Sequence, residues 1–239
     1  MSRLNSFYLS PEKWFPPYIL KGTEAHHLST VLRIRPGTTV RLFDGHGREG
    51  SFSVEESSRK TVCLAPQDIT CCPPRKTELY VAPGWTKSAR RGWFLEKAVE
   101  LGAAGIFFWQ AGHSQGTVPD TPKESWTARM ITAAKQCGTP WLPELGTEPA
   151  GLNRLVRSIG AVDHTCVLWE GEQKEHRLTP DLLNRPGRTL LVLGPEGGFA
   201  REEEESFTDL GLTPYSLGPR VLRWETAAIL CLGLGFIAS

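Results

Sequence analysis

Two short segments carry the residue types that could hold a small molecule and act on it. The first is Leu193-Gly194-Pro195-Glu196-Gly197-Gly198-Phe199, which follows directly on the apolar run Thr189-Leu190-Leu191-Val192-Leu193. The second is Ser216-Leu217-Gly218-Pro219-Arg220-Val221-Leu222-Arg223-Trp224-Glu225-Thr226-Ala227-Ala228. Glycines let a backbone approach a ligand closely and take positive φ, so that its own N–H and C=O groups become the recognition elements. The neighbouring Leu and Val residues supply apolar walls. Arg223 and Glu225 stand at the mouth of an apolar stretch. A fixed cation there can steady developing negative charge, and a carboxylate can orient that cation or help to move a proton. The same two residues also read as an Arg–Glu pair that merely pins the loop.

This is not the chemistry of a phosphate cradle. Neither G-x-G-x-x-G nor a Walker lysine is present, which also disfavours a nicotinamide-dependent oxidoreductase. Glu202, Glu203, Glu204 and Glu205 crowd the start of the next helix. They suit the positive end of its dipole and repel a phosphate.

The elements that must position these loops are legible around them. Residues 78–82, 105–109, 165–169 and 189–193 read as strands, and residues 87–101, 125–137, 152–158 and 201–210 as helices. A further strand ends at Leu217, and an apolar helix starts near Glu225-Thr226. Strands alternating with helices predict a mostly parallel sheet covered by helices, with its ligand crevice at the carboxyl ends of the strands. Both loops fall at such ends.

The first part of the chain has a different texture. Short β-prone runs at residues 40–44, 49–54 and 61–65 are punctuated by Gly and Asp, as in hairpins. One helix interrupts them, with Thr23 as its expected cap and an end at Arg35-Pro36-Gly37. A small β-barrel is the simplest closed form for such a segment. Residues 66–76, with Cys71-Cys72-Pro73-Pro74, read as a stiff linker. The expected domains are therefore 1–72 and 73–239.

Composition bounds the rest. The 239 residues carry 27 basic and 26 acidic side chains, and 40% are hydrophobic, which is enough for a core and excludes wholesale disorder. Residues 1–76 hold 11 basic and 7 acidic groups against 16 and 19 in the remainder, so the N-terminal piece is the one suited to a polyanion. The longest apolar stretch, residues 227–238, falls short of the ~20 a membrane span needs. The opening MSRLNSFYLSPEKWF lacks the basic flank and apolar block of a secretory signal. Six scattered cysteines without a C-x-x-C pair point to thiols in a reducing cytoplasm and to no metal site.

LGPEGGF followed by SLGPRVLRWETAA resembles the paired signature of the RsmE family, the 16S rRNA (uracil-N3)-methyltransferases of the SPOUT superfamily. The likeness spreads over nearly the whole chain. His26-His27-Leu28-Ser29-Thr30-Val31-Leu32-Arg33 is similar to the family's PUA-like segment, Lys97-Ala98-Val99-Glu100-Leu101-Gly102 to its K-A-x-E-L-G helix, and Ala134-Lys135-Gln136-Cys137 to its A-x-Q-x block. The resemblance implies an α/β fold in which a PUA-like β-barrel precedes a trefoil-knot methyltransferase domain. It also implies a homodimer through the knot domain, the cofactor S-adenosyl-L-methionine with S-adenosylhomocysteine as product, and 16S rRNA in the small ribosomal subunit as partner.

By the same resemblance the cofactor pocket combines Leu168 and Glu170, with Trp169 between them, then Leu193, Gly194, Pro195, Glu196, Gly197 and Gly198, and finally Leu217, Gly218, Val221, Leu222, Thr226 and Ala227. Trp224 is the aromatic residue expected near it. Uracil N3 must lose its proton as the methyl arrives. Arg223 is the expected cation for the flanking carbonyl oxygens, with Glu225 as its orienter or as an aid to proton removal. RNA phosphates need basic side chains, and the candidates are Arg33, Arg35 and Arg41 in the first domain with Lys87, Arg90 and Arg91 in the second. Ser6, the His113-Ser114-Gln115 stretch and Thr139 stand where the family usually carries arginine. A SPOUT enzyme with another RNA target, and a non-catalytic RNA-binding protein on this fold, are the alternatives.

Overall fold

The computed structural model describes residues 4–171 and 176–237. By contact density the chain divides into two units. The first holds residues 1–74 with 131–142, and the second holds 75–130 with 143–239.

The first unit is a five-stranded mixed sheet. Its strands are β1 (Ser6–Tyr8), β2 (Tyr18–Lys21), β3 (Thr39–Phe43), β4 (Arg48–Ser57) and β5 (Thr61–Cys71), in the order β1-β3-β4-β5-β2. β1 runs parallel to β3, and the other pairs are antiparallel. Alternation along the strands sends Phe7, Leu20, Val40, Leu42, Phe52, Val54 and Val62 to one buried face, where Trp14 and Tyr18 close on Phe52 at ring distances of 5.9 and 5.0 Å.

The expected linker starts too early. β5 continues to Cys71 and carries Pro66 within it, opposite Phe52 at a register shift. Such an irregularity is where a strand tolerates a residue with no N–H to donate. The expected helix also differs. α1 (Gly22–His26) has Lys21, not Thr23, at its N-cap and passes at His27 into a π-helical turn that runs to Val31. Arg33 then takes φ 53°, a left-handed end uncommon for a residue with a Cβ. The segment 131–142 packs into this unit through the Lys135–Glu24 ion pair and the carbonyl of Gly138, which accepts from Arg41 Nη2 at 3.2 Å.

The second unit is a parallel sheet of six strands: β6 (Thr77–Pro83), β7 (Gly105–Trp109), β8 (Glu144–Glu148), β9 (His164–Leu168), β10 (Gly187–Leu193) and β11 (Thr213–Tyr215). Their order is β11-β9-β10-β6-β7-β8. β10 lies between β9 and β6 with Leu190, Leu191, Val192 and Leu193 buried, as a near-continuous apolar run requires. The helices are α2 (Arg91–Glu100), α3 (Glu124–Cys137), whose residues 131–137 belong to the first unit, α4 (Leu152–Ser158), α5 (Pro180–Leu183), α6 (Arg201–Ser206) and α7 (Trp224–Ile237).

Three boundaries move from expectation. α2 begins at Arg91, so Lys87 lies in the preceding loop. α6 stops at Ser206, and the chain turns through a left-handed Gly211 before β11. β11 ends at Tyr215, two residues before Leu217. β8 went unread because Gly146 interrupts its β pattern; the Phe107 ring occupies the space where a Cβ would stand. Among the described residues no helix is long and apolar enough to cross a membrane, and no cluster of three metal-ligating side chains occurs.

Candidate active site

β9, β10 and β11 are parallel neighbours, so the chain leaves all three at the same edge of the sheet. The loops that follow enclose a cleft of about 1120 Å³. Leu168, Trp169 and Glu170 come from the end of β9. Leu193, Gly194, Pro195, Glu196, Gly197 and Gly198 come from β10 and its loop, and Leu217, Gly218, Val221, Leu222, Arg223, Trp224 and Ala227 from the β11 loop and the start of α7. Thr226 is exposed on the first turn of α7 and does not line the cleft.

The β10 loop is shaped by close contacts. Gly84 donates to Leu193 O at 2.8 Å, and a Cβ on Gly84 would meet Pro195 Cδ at 2.6 Å, so glycine there lets the loop close down on β6. Gly198 turns at φ 74°, and its N–H returns to Pro195 O at 2.9 Å. On the other flank His113 Nδ1 lies 3.0 Å from Gly197 O, and Gly112 N donates to Glu203 Oε1 at 2.9 Å. Glu203 also accepts from Ala200 N at 2.8 Å, which caps α6. The β11 loop bends at Gly218, φ 133°, with its N–H on Ser216 Oγ at 3.2 Å.

Sequence reasoning missed two residues of the cleft, Glu204 and Tyr215. Glu204 was assigned to the first turn of α6; it faces the cleft, and its Oε1 accepts from Trp169 Nε1 at 3.0 Å. Tyr215, Ser216, Pro219, Arg220 and Phe199 also line it. Phe199 and Tyr215 were legible as apolar neighbours of the two loops; the inward turn of Glu204 left no signal in a run of four glutamates.

The two expected catalytic residues part company. Arg223 is exposed at the cleft, and no ion pair engages it among the described residues. Glu225 does not line the cleft: it is 3% exposed, and its Oε1 accepts from Arg90 Nη1 at 2.8 Å rather than from Arg223. Glu225 Oε2 is buried and has no hydrogen-bond partner among the described residues. The helical turn starting at Trp224 swings residue 225 away from the side that bears Arg223, which spacing alone does not reveal.

The expected phosphate contacts also separate. Arg33, Arg35 and Lys87 are exposed. Arg41 is enclosed, bonded to Glu49, Ser6 and Gly138 O and lying 5.0 Å over the Phe43 ring. Arg91 turns inward, 3.8 Å over the Trp85 ring with Phe108 and Trp126 beyond, and donates to Thr86 O. Burial lowers its guanidinium from the usual arginine value. Neither Arg41 nor Arg91 presents a free fork to solvent.

A glycine-lined crevice at the carboxyl edge of a parallel sheet, joined to a small mixed β unit, defines the class. Residues 73–235 match the model of an RNA methyltransferase domain, and residues 20–67 match that of an RNA methyltransferase PUA domain. More narrowly, the chain belongs to the ribosomal RNA small subunit methyltransferase E family. It is 32% identical to the Mycobacterium bovis member over 92% of this chain and 87% of that one, and 27% identical to the Bacillus subtilis member over 91% and 88%. A Legionella pneumophila protein solved with its bound cofactor SAM superposes with a TM-score of 0.82 at 29% identity, covering 99% of this chain and 98% of that one.

Proposed function

We propose that this chain transfers a methyl group from S-adenosylmethionine to N3 of a uridine in 16S rRNA, acting on the assembled small ribosomal subunit in the cytoplasm. The observation that carries the reading is the cleft of β9, β10 and β11: glycine backbone and apolar walls, with the carboxylates of Glu170, Glu196 and Glu204 and the exposed Arg223 in its lining.

The residues present fit such a cofactor, which has a positive sulfur and no phosphate. A Cβ at Gly198 or Gly218 would meet nothing within 4 Å, so both loops leave room beside their backbone. Leu168, Leu193 and Leu222 would flank the adenine, and Glu170 and Glu204, the latter fixed by Trp169, would receive ribose hydroxyls. When bound, the cofactor supplies an electrophilic methyl group on a sulfonium.

The chain's own residues must prepare the acceptor. N3 of uracil carries a proton, and losing it leaves negative charge on the flanking oxygens. Arg223 has donors to place against those oxygens, and water in the open cleft takes the proton. Glu225 is not available as the base, because it is buried and engaged by Arg90.

Residues 1–72 serve as the RNA-gripping domain through Arg33 and Arg35, and residues 73–239 as a knotted methyltransferase domain. Dimerisation uses the second domain, where Trp93 on α2 and Leu230, Phe236 and Ile237 on α7 leave apolar side chains exposed. The deciding experiment incubates small subunits from cells lacking the modification with the protein and labelled cofactor, then maps the modified base by mass. A 3-methyluridine in 16S rRNA is expected, and unmodified RNA or a ribose methyl overturns the reading.

A further inference from the structure

We infer that Arg90 is a positioning residue for the acceptor RNA: it receives a backbone phosphate beside the cleft, and the buried carboxylate of Glu225 holds it ready to do so. This rests on the reading of the chain as an RNA methyltransferase.

Arg90 is fixed on its inner side and free on its outer one. Its backbone N–H is held by Ser88 Oγ at 3.1 Å, its carbonyl accepts from Phe94 N at 2.8 Å, and its Nη1 is bound to Glu225 at 2.8 Å. Its side chain is nevertheless 54% exposed. A guanidinium has five N–H donors in a rigid fork, so one occupied nitrogen leaves a face for a second anion. Pinning that fork in advance removes most of the rotamer entropy a free arginine loses on binding.

The buried side of the joint shows why the pin holds. Glu225 sits in the first turn of α7, and Arg90 is the cation that reaches it. Its second oxygen has no partner among the described residues, so losing Arg90 would leave a buried carboxylate without its ion pair. Trp224 and Ala227, on either side of it in sequence, line the cleft. A phosphate on the outer edge of Arg90 is therefore one ion pair away from the wall of the cleft.

Neighbouring cations do not offer the same. Arg91 is stacked among Trp85, Phe108 and Trp126, and Lys87 is an exposed side chain with a flexible stem. Arg220, exposed on the β11 loop, is a further cation in the lining of the cleft.

The test uses the full chain, wild type and the variants R90A, R90K and E225Q, binding unmodified small ribosomal subunits over a salt series. Calorimetry with S-adenosylhomocysteine and steady-state methylation run alongside. R90A is expected to weaken subunit binding about tenfold and to raise KM, with kcat little changed. Its log–log salt slope should be shallower by about one, the mark of one lost phosphate contact. S-adenosylhomocysteine affinity should hold within about twofold. R90K should keep the slope, because the charge remains, but recover only part of the affinity. E225Q should also keep the slope and weaken binding less than R90A does. An unchanged slope in R90A overturns the proposal. So does a parallel loss of subunit and S-adenosylhomocysteine affinity, which is what a mere brace for α7 would give. Wild type that binds subunits but modifies another atom refutes the uridine reading and leaves Arg90 to be judged on its slope.

Discussion

Glu225 Oε1 accepts from Arg90 Nη1 at 2.8 Å across 135 residues of chain, tying the first turn of α7 to the loop ahead of α2. The carboxylate is buried and the guanidinium half exposed, so the two partners are not equivalent. Removing the arginine strands a charge; removing the carboxylate returns a cation to water.

An asymmetric pattern of stabilities follows. R90A should destabilise the fold by about 1–3 kcal/mol, the range for leaving a buried polar group unpaired. E225Q should cost less, and the R90A/E225Q double variant should be more stable than R90A alone because its buried amide needs no counter-charge. Denaturant midpoints of the three proteins check this.

Gly84 lies outside both cleft loops, yet it governs one of them. Its φ is not in the left-handed region, so alanine strains nothing in its own backbone. The added Cβ would stand 2.6 Å from Pro195 Cδ and push the β10 loop outward. G84A should lower S-adenosylhomocysteine affinity about tenfold while leaving subunit binding intact, read by calorimetry and by subunit capture.

Arg223 should act on turnover rather than on cofactor binding. Removing a preorganised donor from developing negative charge costs about 10²-fold or more in kcat. R223A should lose about that much with S-adenosylhomocysteine affinity retained, and R223K should recover part of it. A single-turnover methylation assay separates the two effects.

The buried thiols give a pH dependence of known sign. Burial pushes Cys166 up to about 12, and pushes Cys231 up as well, from the ordinary value of 9.0. Both thiols stay protonated in the folded chain at pH values where the unfolded chain releases them. The unfolded state then binds fewer protons, so stability is fully present below about pH 9 and declines as pH rises toward 12. Native alkylation at pH 8.5 should label exposed Cys71 and Cys137 first and spare the buried pair, as peptide mass mapping would show.

Trp93 is 48% exposed on α2, on a helix that packs against α7. If this face joins two copies, W93E should convert a dimer to a monomer in sedimentation, whereas a charge on exposed Ile69 of β5 should not.

Much of this molecule was legible in one dimension. The apolar β10 run, the parallel sheet of the second unit and the two glycine loops follow from periodicity and turn chemistry, which act between residues close in sequence. Thirteen of the fourteen residues expected at the cofactor pocket line the cleft, because a loop that leaves a parallel strand has one edge on which to lie. What tertiary structure decided was the direction and partner of individual side chains. Glu204 turns into the cleft, Arg91 stacks inward, and Glu225 chooses Arg90 over Arg223. Helical rotation and long-range packing set those outcomes, and both depend on contacts between segments far apart in the chain, where the identity of a residue carries no record of what it will meet.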